Sequence, residues 1–545
     1  MSSLLIRGAF VLVAILLTRW FWHRRAVQKI MNNIPGPKPR SFWTGNLAEI
    51  YSVSGWDFHQ ELTEKYGGVV RINALFGDKQ VYVFDPKALH QIVVKDQDIF
   101  EEPDTFIRGT RVLFGEGILS TLGDQHRKQR KRLNPVFSIA HLRHMVPVFS
   151  SVGKKLRAVL ESKAQNGPQE LWMSRTALEL VGQAGLGYSF DPLTDDEVPP
   201  YITSVKQLQI TLIRMALALQ YILPWAVRIG SPRFRRFIVN IFPWRDLHAG
   251  RDILDTMYDT AIHIYQTKKK ALEAGDEAIS AQIAQGKDII SILMKDNNLA
   301  SSTDRLSEDE IIGQVHHRRV QHCTLTTIPA TSAALTRTLH LLAQHQDIQD
   351  KLRQEIRSAQ KEGVDLSYDD LSSRLEYLDA ICRETLRLYP PVSFITRTAR
   401  KDVVLTTSNP VTMADGAATT QIPIPAETEI IISIIASNRN AAIWGPDCLE
   451  WKPKRWLASL PKTVGDAHLP GIYSNLMTFG GGGRACIGFK FSQLEMKVIL
   501  SLLVERFRFS LSDKNITWQM SSIAVPVLDK NSTKPQLPLK VELAK

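Results

Sequence analysis

Ten consecutive residues near the C-terminus constrain this chain more than any other feature: Phe479-Gly480-Gly481-Gly482-Gly483-Arg484-Ala485-Cys486-Ile487-Gly488. Four glycines in a row let the backbone take positive φ and pass close to something flat or bulky. The cysteine that follows stands at the expected start of a helix, where free N–H groups and the helix dipole favour thiolate over thiol. A thiolate held this way is a metal ligand or a nucleophile. A nucleophile needs a base within reach, and none is visible locally. Only Cys323, Cys382, Cys448 and Cys486 occur in 545 residues, too scattered for a disulfide framework or a CxxC zinc ribbon.

The N-terminus reads as a membrane anchor. Leu4–Trp22 is 19 residues long, about 28 Å as a helix and close to the thickness of a hydrocarbon core. Arg7 and Arg19 lie near its ends, Trp20, Phe21 and Trp22 suit an interfacial belt, and His23, Arg24, Arg25 and Lys29 give a basic, cytoplasmic flank. No small-residue cleavage site follows, so the segment is expected to stay uncleaved. Ile34-Pro35-Gly36-Pro37-Lys38-Pro39 cannot be helix or central strand and reads as a stiff spacer. The expected organisation is an anchor over 1–24, a basic, proline-rich linker over 25–45 and one large domain over 46–545. The surplus of 67 Lys+Arg over 55 Asp+Glu suits an anionic membrane or an acidic partner. No nucleic-acid recognition motif accompanies it, so no nucleic-acid partner is expected.

Patterning places the chain in a mainly α class with small β-sheets. Val69–Asn73 and Gln80–Phe84 flank a Gly77-Asp78 turn and predict a hairpin. Helical spacing dominates from Lys87 to Leu388, for example over Ala140–Glu161 and Thr331–Gln360. Short strands are expected at Val403–Leu405, Glu429–Ile435 and Leu537–Leu543, and a long helix from Cys486 to Phe507.

The glycine–cysteine string resembles the haem-binding loop of the cytochrome P-450 superfamily, the haem-thiolate monooxygenases. Phe479, Gly482, Arg484, Cys486 and Gly488 fall on its F-x-x-G-x-R-x-C-x-G pattern. The resemblance implies a Cys486 thiolate as axial iron ligand of haem b, tempered by the N–H groups of Ile487 and Gly488, with Arg484 on a propionate. Glu384-Thr385-Leu386-Arg387 resembles the family's E-x-x-R, and Trp451–Trp456 its P-E-R-F segment with Lys454 in place of Glu. Glu384, Arg387 and Arg455 would form a buried structural triad. His126 and Arg130, in a helix ahead of Asn134-Pro135-Val136-Phe137, and Arg397 after Pro390-Pro391, match propionate-binding positions. Arg127, Lys128, Lys131 and Arg132 would then offer a basic face to an acidic reductase.

One segment departs from the family. Its central helix carries A-G-x-[D/E]-T, whose Thr and acid deliver protons during oxygen activation. Here Asp309–Gln314 and Thr331–Arg337 match its flanks, but the 16 residues 315–330 do not, and Ala330 and Pro329 take the Thr and acid positions. Pro329 is expected to break the helix. Three readings stand: a metal site of His316, His317, His322 and Cys323; a diverged member; or a frameshifted or mis-spliced stretch. Back-translated and read one nucleotide later, Val315–Cys323 permits Phe-Ile-Ile-Ala-Gly-x-Ser/Asn-Thr-Ala/Val, close to the missing motif.

The resemblance, greatest to fungal members that serve secondary metabolism, implies a monooxygenase of the endoplasmic reticulum membrane. It would be single-pass with its catalytic domain in the cytoplasm, oxidising a lipophilic small molecule with electrons from NADPH-cytochrome P-450 reductase, cytochrome b5 assisting. Substrate contacts are expected from Thr105–Leu122, Leu208–Leu223, and Val392, Phe394 and Ile395. Pro224–Phe237, with Trp225, Arg228, Arg233, Arg235 and Arg236, would dip into the bilayer or pack on the body as a helix pair. The alternatives are an oxygen-independent haem-thiolate isomerase or dehydratase and a haem-binding pseudoenzyme.

Overall fold

The computed structural model describes residues 24–115, 117–163, 169–170, 173–191, 222–273, 328–360, 364–520, 522–530 and 535–545, with scattered single positions between them. The chain divides into two compact units. The first takes Met1–Pro103, Ser393–Cys448 and Pro461–Ala485; the second takes Asp104–Val392, Leu449–Leu460 and Cys486–Lys545. No helix among the described residues is long and apolar enough to cross a membrane. The expected span Leu4–Trp22 falls almost entirely outside the described residues, so the transmembrane helix has no support here.

The first unit is built on a five-stranded sheet. β1 (Val69–Asn73) and β2 (Lys79–Val83) form the expected hairpin, in register from Val69↔Val83 to Asn73↔Lys79. β3 (Phe100–Glu101) and β4 (Phe394–Ala399) pair antiparallel at the other edge. β5 (Val403–Thr412) and β6 (Ala418–Ile424) make a separate hairpin. β7 (Glu429–Ser433) joins the halves of the large sheet, parallel to β2 and antiparallel to β4. Ile430, Ile431 and Ile432 are all fully buried. A central strand covered on both faces is apolar throughout rather than alternating. The strand expected to reach Ile435 stops at Ser433, whose hydroxyl accepts the Ala436 amide and caps a short helix, Ile434–Asn438.

Residues 24–33 are helical and fastened to this sheet. Arg24 pairs with Asp78 at 2.8 Å, Asn33 bonds Asp415, and Met31 and Ile34 are buried. The Pro35 carbonyl accepts the Arg71 amide at 2.7 Å, so the proline run continues the edge of β1 without needing donors of its own.

The second unit is helical. Its main elements are α1 (Gly123–Leu133), α2 (Ile139–Lys163), α3 (Ile328–Gln344), α4 (Gln346–Ala359), α5 (Glu376–Leu388) and α6 (Phe489–Arg506). α6 is buried continuously from Leu494 to Val504 and packs against α2, α3, α4 and α5. Thr331–Gln360, expected as one helix, is two, because His345 leaves helical geometry (φ −117°, ψ 78°). Pro329 does not interrupt α3 within the described residues. The described part of α3 begins at Ile328 and the residues before it lie outside the described residues, so the expected break at Pro329 is not tested. Strand Phe507–Leu511 pairs with Pro538–Leu543, which pairs with Gln169–Glu170. The class is mainly α with small sheets, as expected.

Candidate functional site

The glycine–cysteine string crosses from the first unit to the second between Ala485 and Cys486. In the first unit its glycine half ends β9 (Leu476–Gly481), which follows β8 (Gly471–Tyr473). Phe479 meets Tyr473 edge-on at 5.5 Å. Gly482 has φ +65°, and a Cβ there would lie 1.6 Å from the Val93 carbonyl. The flat or bulky neighbour expected of this glycine is the chain's own backbone. Gln97, equally unforeseen, accepts the Gly483 amide at 3.0 Å. These contacts are distant in sequence and leave no local pattern to read.

Arg484 emerges from that pinned turn with its Nε 3.2 Å from Glu102 Oε2. Arg397, on β4, places Nη2 3.5 Å from Glu102 Oε1 and donates from Nη1 to the Thr396 carbonyl at 2.7 Å. Burial lowers the Arg397 pKa, opposed by the Glu102 charge. Two of the three arginines expected to hold propionates, Arg397 and Arg484, are thus brought together. Phe394, expected at the substrate, instead packs into the first unit's core, 5.5 Å from Tyr51 and stacked on His59 at 5.7 Å.

In the second unit Cys486 stands three residues before α6, whose N-cap is Gly488. The helix starts later than expected, so Cys486 stands outside it, and the amide of the N-cap residue Gly488 bonds the sulfur. Burial pushes the thiol pKa up, and the Gly488 bond and the Arg130 charge pull it down. The expected helix-terminus effect is present but outweighed. Cys486 nevertheless retains accessible surface. Phe137 closes on Gly488, 3.9 Å from where a Cβ would stand, and meets Phe491 edge-on. His126 and Arg130 lie on α1, the first buried and the second half-buried. Burial lowers the Arg130 pKa while the Cys486 charge raises it, so this arginine is a neighbour of the sulfur.

Glu384, Arg387 and Arg455 meet in the same unit. Arg387 Nε and Nη2 both donate to Glu384 at 2.9 Å, with both side chains fully buried. Arg455 Nε lies 3.4 Å from Glu384 Oε1. The Trp456 indole (2.9 Å) and the Lys452 amide (3.1 Å) also donate to Glu384, and neither was foreseen. Burial works against the Glu384 charge, but the bonds from Arg387, its charge, the Lys452 amide and Trp456 hold the carboxyl below its ordinary value. A tryptophan at the family's Phe position is the one signal that sequence offered.

Among the described residues no three His, Cys, Asp or Glu side chains gather as a metal site. His316, His317, His322 and Cys323 lie outside the described residues, as does the rest of 315–327. Ala330 is half-buried in α3. Taken unit by unit, Cys486 with the Gly488 amide on its sulfur suits a haem iron in the second, and Arg397 and Arg484 suit carboxylates in the first.

The family model described as Cytochrome P-450 matches residues 35–529. The chain is 49% identical over 519 residues to cytochrome P-450 monooxygenase 91 of Postia placenta, covering 94% of each chain. It is 45% identical to monooxygenase 81 of the same fungus, over 100% of this chain and 98% of that one. It is 41% identical to the ganoderic acid synthetase of Ganoderma lucidum, over 98% of this chain and 99% of that one.

Proposed function

The chain belongs to the cytochrome P-450 family of haem-thiolate monooxygenases, and from that premise we propose that it inserts one oxygen atom from O2 into a lipophilic small molecule, with electrons from NADPH through a separate reductase. The second oxygen atom leaves as water, so each turnover takes two electrons and two protons. Bound haem supplies the oxygen chemistry; the protein supplies the thiolate that raises electron density at the iron.

The observation that carries this reading is Cys486, whose sulfur is held by the Gly488 amide immediately before α6. The Gly488 bond and the Arg130 charge favour the thiolate against burial, which favours the thiol. Arg397 and Arg484 would bind propionates, joined by His126 and Arg130, while Phe479, Gly482 and Ile487 shape the loop. Glu384, Arg387 and Arg455 fix the fold rather than touch the reaction. Arg127, Lys128, Lys131 and Arg132 would meet the reductase, and the enzyme would reside in the endoplasmic reticulum membrane. The test is twofold. Reduced, CO-treated protein should show the red-shifted thiolate Soret band, and product should form only with O2, NADPH and reductase. A missing band refutes haem-thiolate ligation, and product without O2 supports the isomerase or dehydratase instead.

A second reading rests on Pro329 and Ala330, which stand in the first described turn of α3 where an acid and a Thr are expected. If residues 315–330 are translated as written, the protein binds haem but couples electrons to product poorly, as a pseudoenzyme would. Sequencing the transcript across codons 310–335 decides between this and a shifted reading frame.

A further inference from the structure

Glu102 has no part in the family resemblance, yet it is where the buried Arg397 and the half-buried Arg484 of the first unit converge. It follows β3, whose pairing with β4 sets Glu101 opposite Thr398 and so brings Arg397 alongside. Arg484 arrives from the turn pinned at Val93. The backbone of Glu102 is itself fixed, because Arg400 donates to its carbonyl at 2.8 Å and approaches Glu101 at 3.6 Å. Glu102 is only 8% exposed. Its Oε2 faces Arg484 Nε at 3.2 Å without hydrogen-bond geometry and is a buried oxygen with no hydrogen bond among the described residues. What holds the three side chains is therefore charge. Two guanidiniums sharing a low-dielectric corner repel unless an anion separates them; with Arg400 and Glu101 beside them, three guanidiniums face two carboxylates and one positive charge is left over.

We propose that Glu102 is the positioning residue of the haem-propionate clamp: a single carboxylate shared by Arg397 and Arg484 that sets their spacing and leaves a net positive site for the cofactor's carboxylates. The inference rests on the haem reading above. A planar guanidinium has five donors, so one contact with Glu102 orients each fork without consuming it.

The experiment uses full-length, detergent-solubilised, haem-loaded protein and Glu102→Gln, which removes the charge and keeps the shape. E102Q is expected to lose haem to apomyoglobin several-fold faster than wild type, and its ferric–ferrous potential is expected to move to more positive values. Glu102→Asp, which keeps the charge and shortens its reach, should hold the wild-type potential and lose haem at an intermediate rate. E102D carries the test if E102Q does not accumulate, since a wild-type loss rate there refutes a role in spacing. E102Q with wild-type haem loss and potential overturns the proposal, and so does a variant that only melts earlier. Wild-type protein that takes up no haem overturns both this inference and the reading beneath it.

Discussion

Glu384 shows how much one buried charge can require. Its carboxylate receives two bonds from Arg387, one from the Trp456 indole and one from the Lys452 amide, with Arg455 alongside. Removing one partner of a fully buried pair strands the other, at a cost of about 3–5 kcal/mol. Arg387→Ala is therefore expected to yield little soluble, haem-loaded protein, with a urea midpoint far below wild type where any can be purified. Trp456→Phe keeps an aromatic ring at the site and removes the indole donor together with part of the ring system. It should cost about 1.5–3 kcal/mol, the range for hydrogen bonds to charged groups. An unchanged urea midpoint for W456F would remove the indole from the network. The triad was legible because its members have fixed spacings in the family. Trp456, Val93, Gln97 and Glu102 were not, because their partners lie far away in sequence and each residue alone has an ordinary reading.

At the scale of elements, legibility followed burial. The β1–β2 hairpin and α6 were visible because a strong apolar pattern carried them, whereas β5 was foreseen only at Val403–Leu405. Its remainder, Thr406 to Thr412, and its partner β6 mix Thr, Ser, Asn and Pro in an exposed hairpin that buries little. Helix α6 also contains an anomaly. Glu495 is fully buried, and neither carboxyl oxygen has a hydrogen bond among the described residues. Burial raises its pKa well above the ordinary 4.5, so the folded protein holds a proton there that the unfolded chain releases. Its contribution to stability is present in full below about pH 4.5 and is lost as pH rises toward the raised folded value. Glu495→Gln cannot ionise and should flatten the alkaline side of the stability–pH curve. Glu495→Leu, of similar volume, should stabilise by about 1–3 kcal/mol at neutral pH, the usual cost of an unsatisfied buried polar group. Parallel curves for wild type and E495Q would mean that the acid is satisfied in solution.

For the whole molecule, the basic surplus and the exposed apolar residues bear on one question, whether the chain meets a membrane. Helix Pro232–Ile241 has no buried residue, although Phe234, Phe237, Ile238 and Ile241 recur at helical spacing along it. A stripe at i, i+3, i+4 and i+7 normally faces a core; here all four side chains are at least 40% exposed. Trp225, 68% exposed, lies beside the Arg228 guanidinium, and Arg236 pairs with Asp255. Exposed aromatic and aliphatic side chains among arginines suit the headgroup boundary of an anionic bilayer better than open water. The same helix contacts the next one through His248 on the Val239 carbonyl and Arg251 on Asn240, so a packed helix pair remains the alternative. If the stripe meets a bilayer, a chain lacking residues 1–24 should still sediment with anionic vesicles, and less so as salt screens the arginines. Changing Trp225, Phe234, Phe237 and Ile241 together to Ser should release most of that truncated chain while leaving its Soret band unchanged, because none of the four belongs to the haem site. Retention of the four-fold variant on vesicles at wild-type levels would move membrane contact elsewhere on the surface. Loss of all vesicle binding on truncation alone would leave the N-terminal segment as the sole anchor.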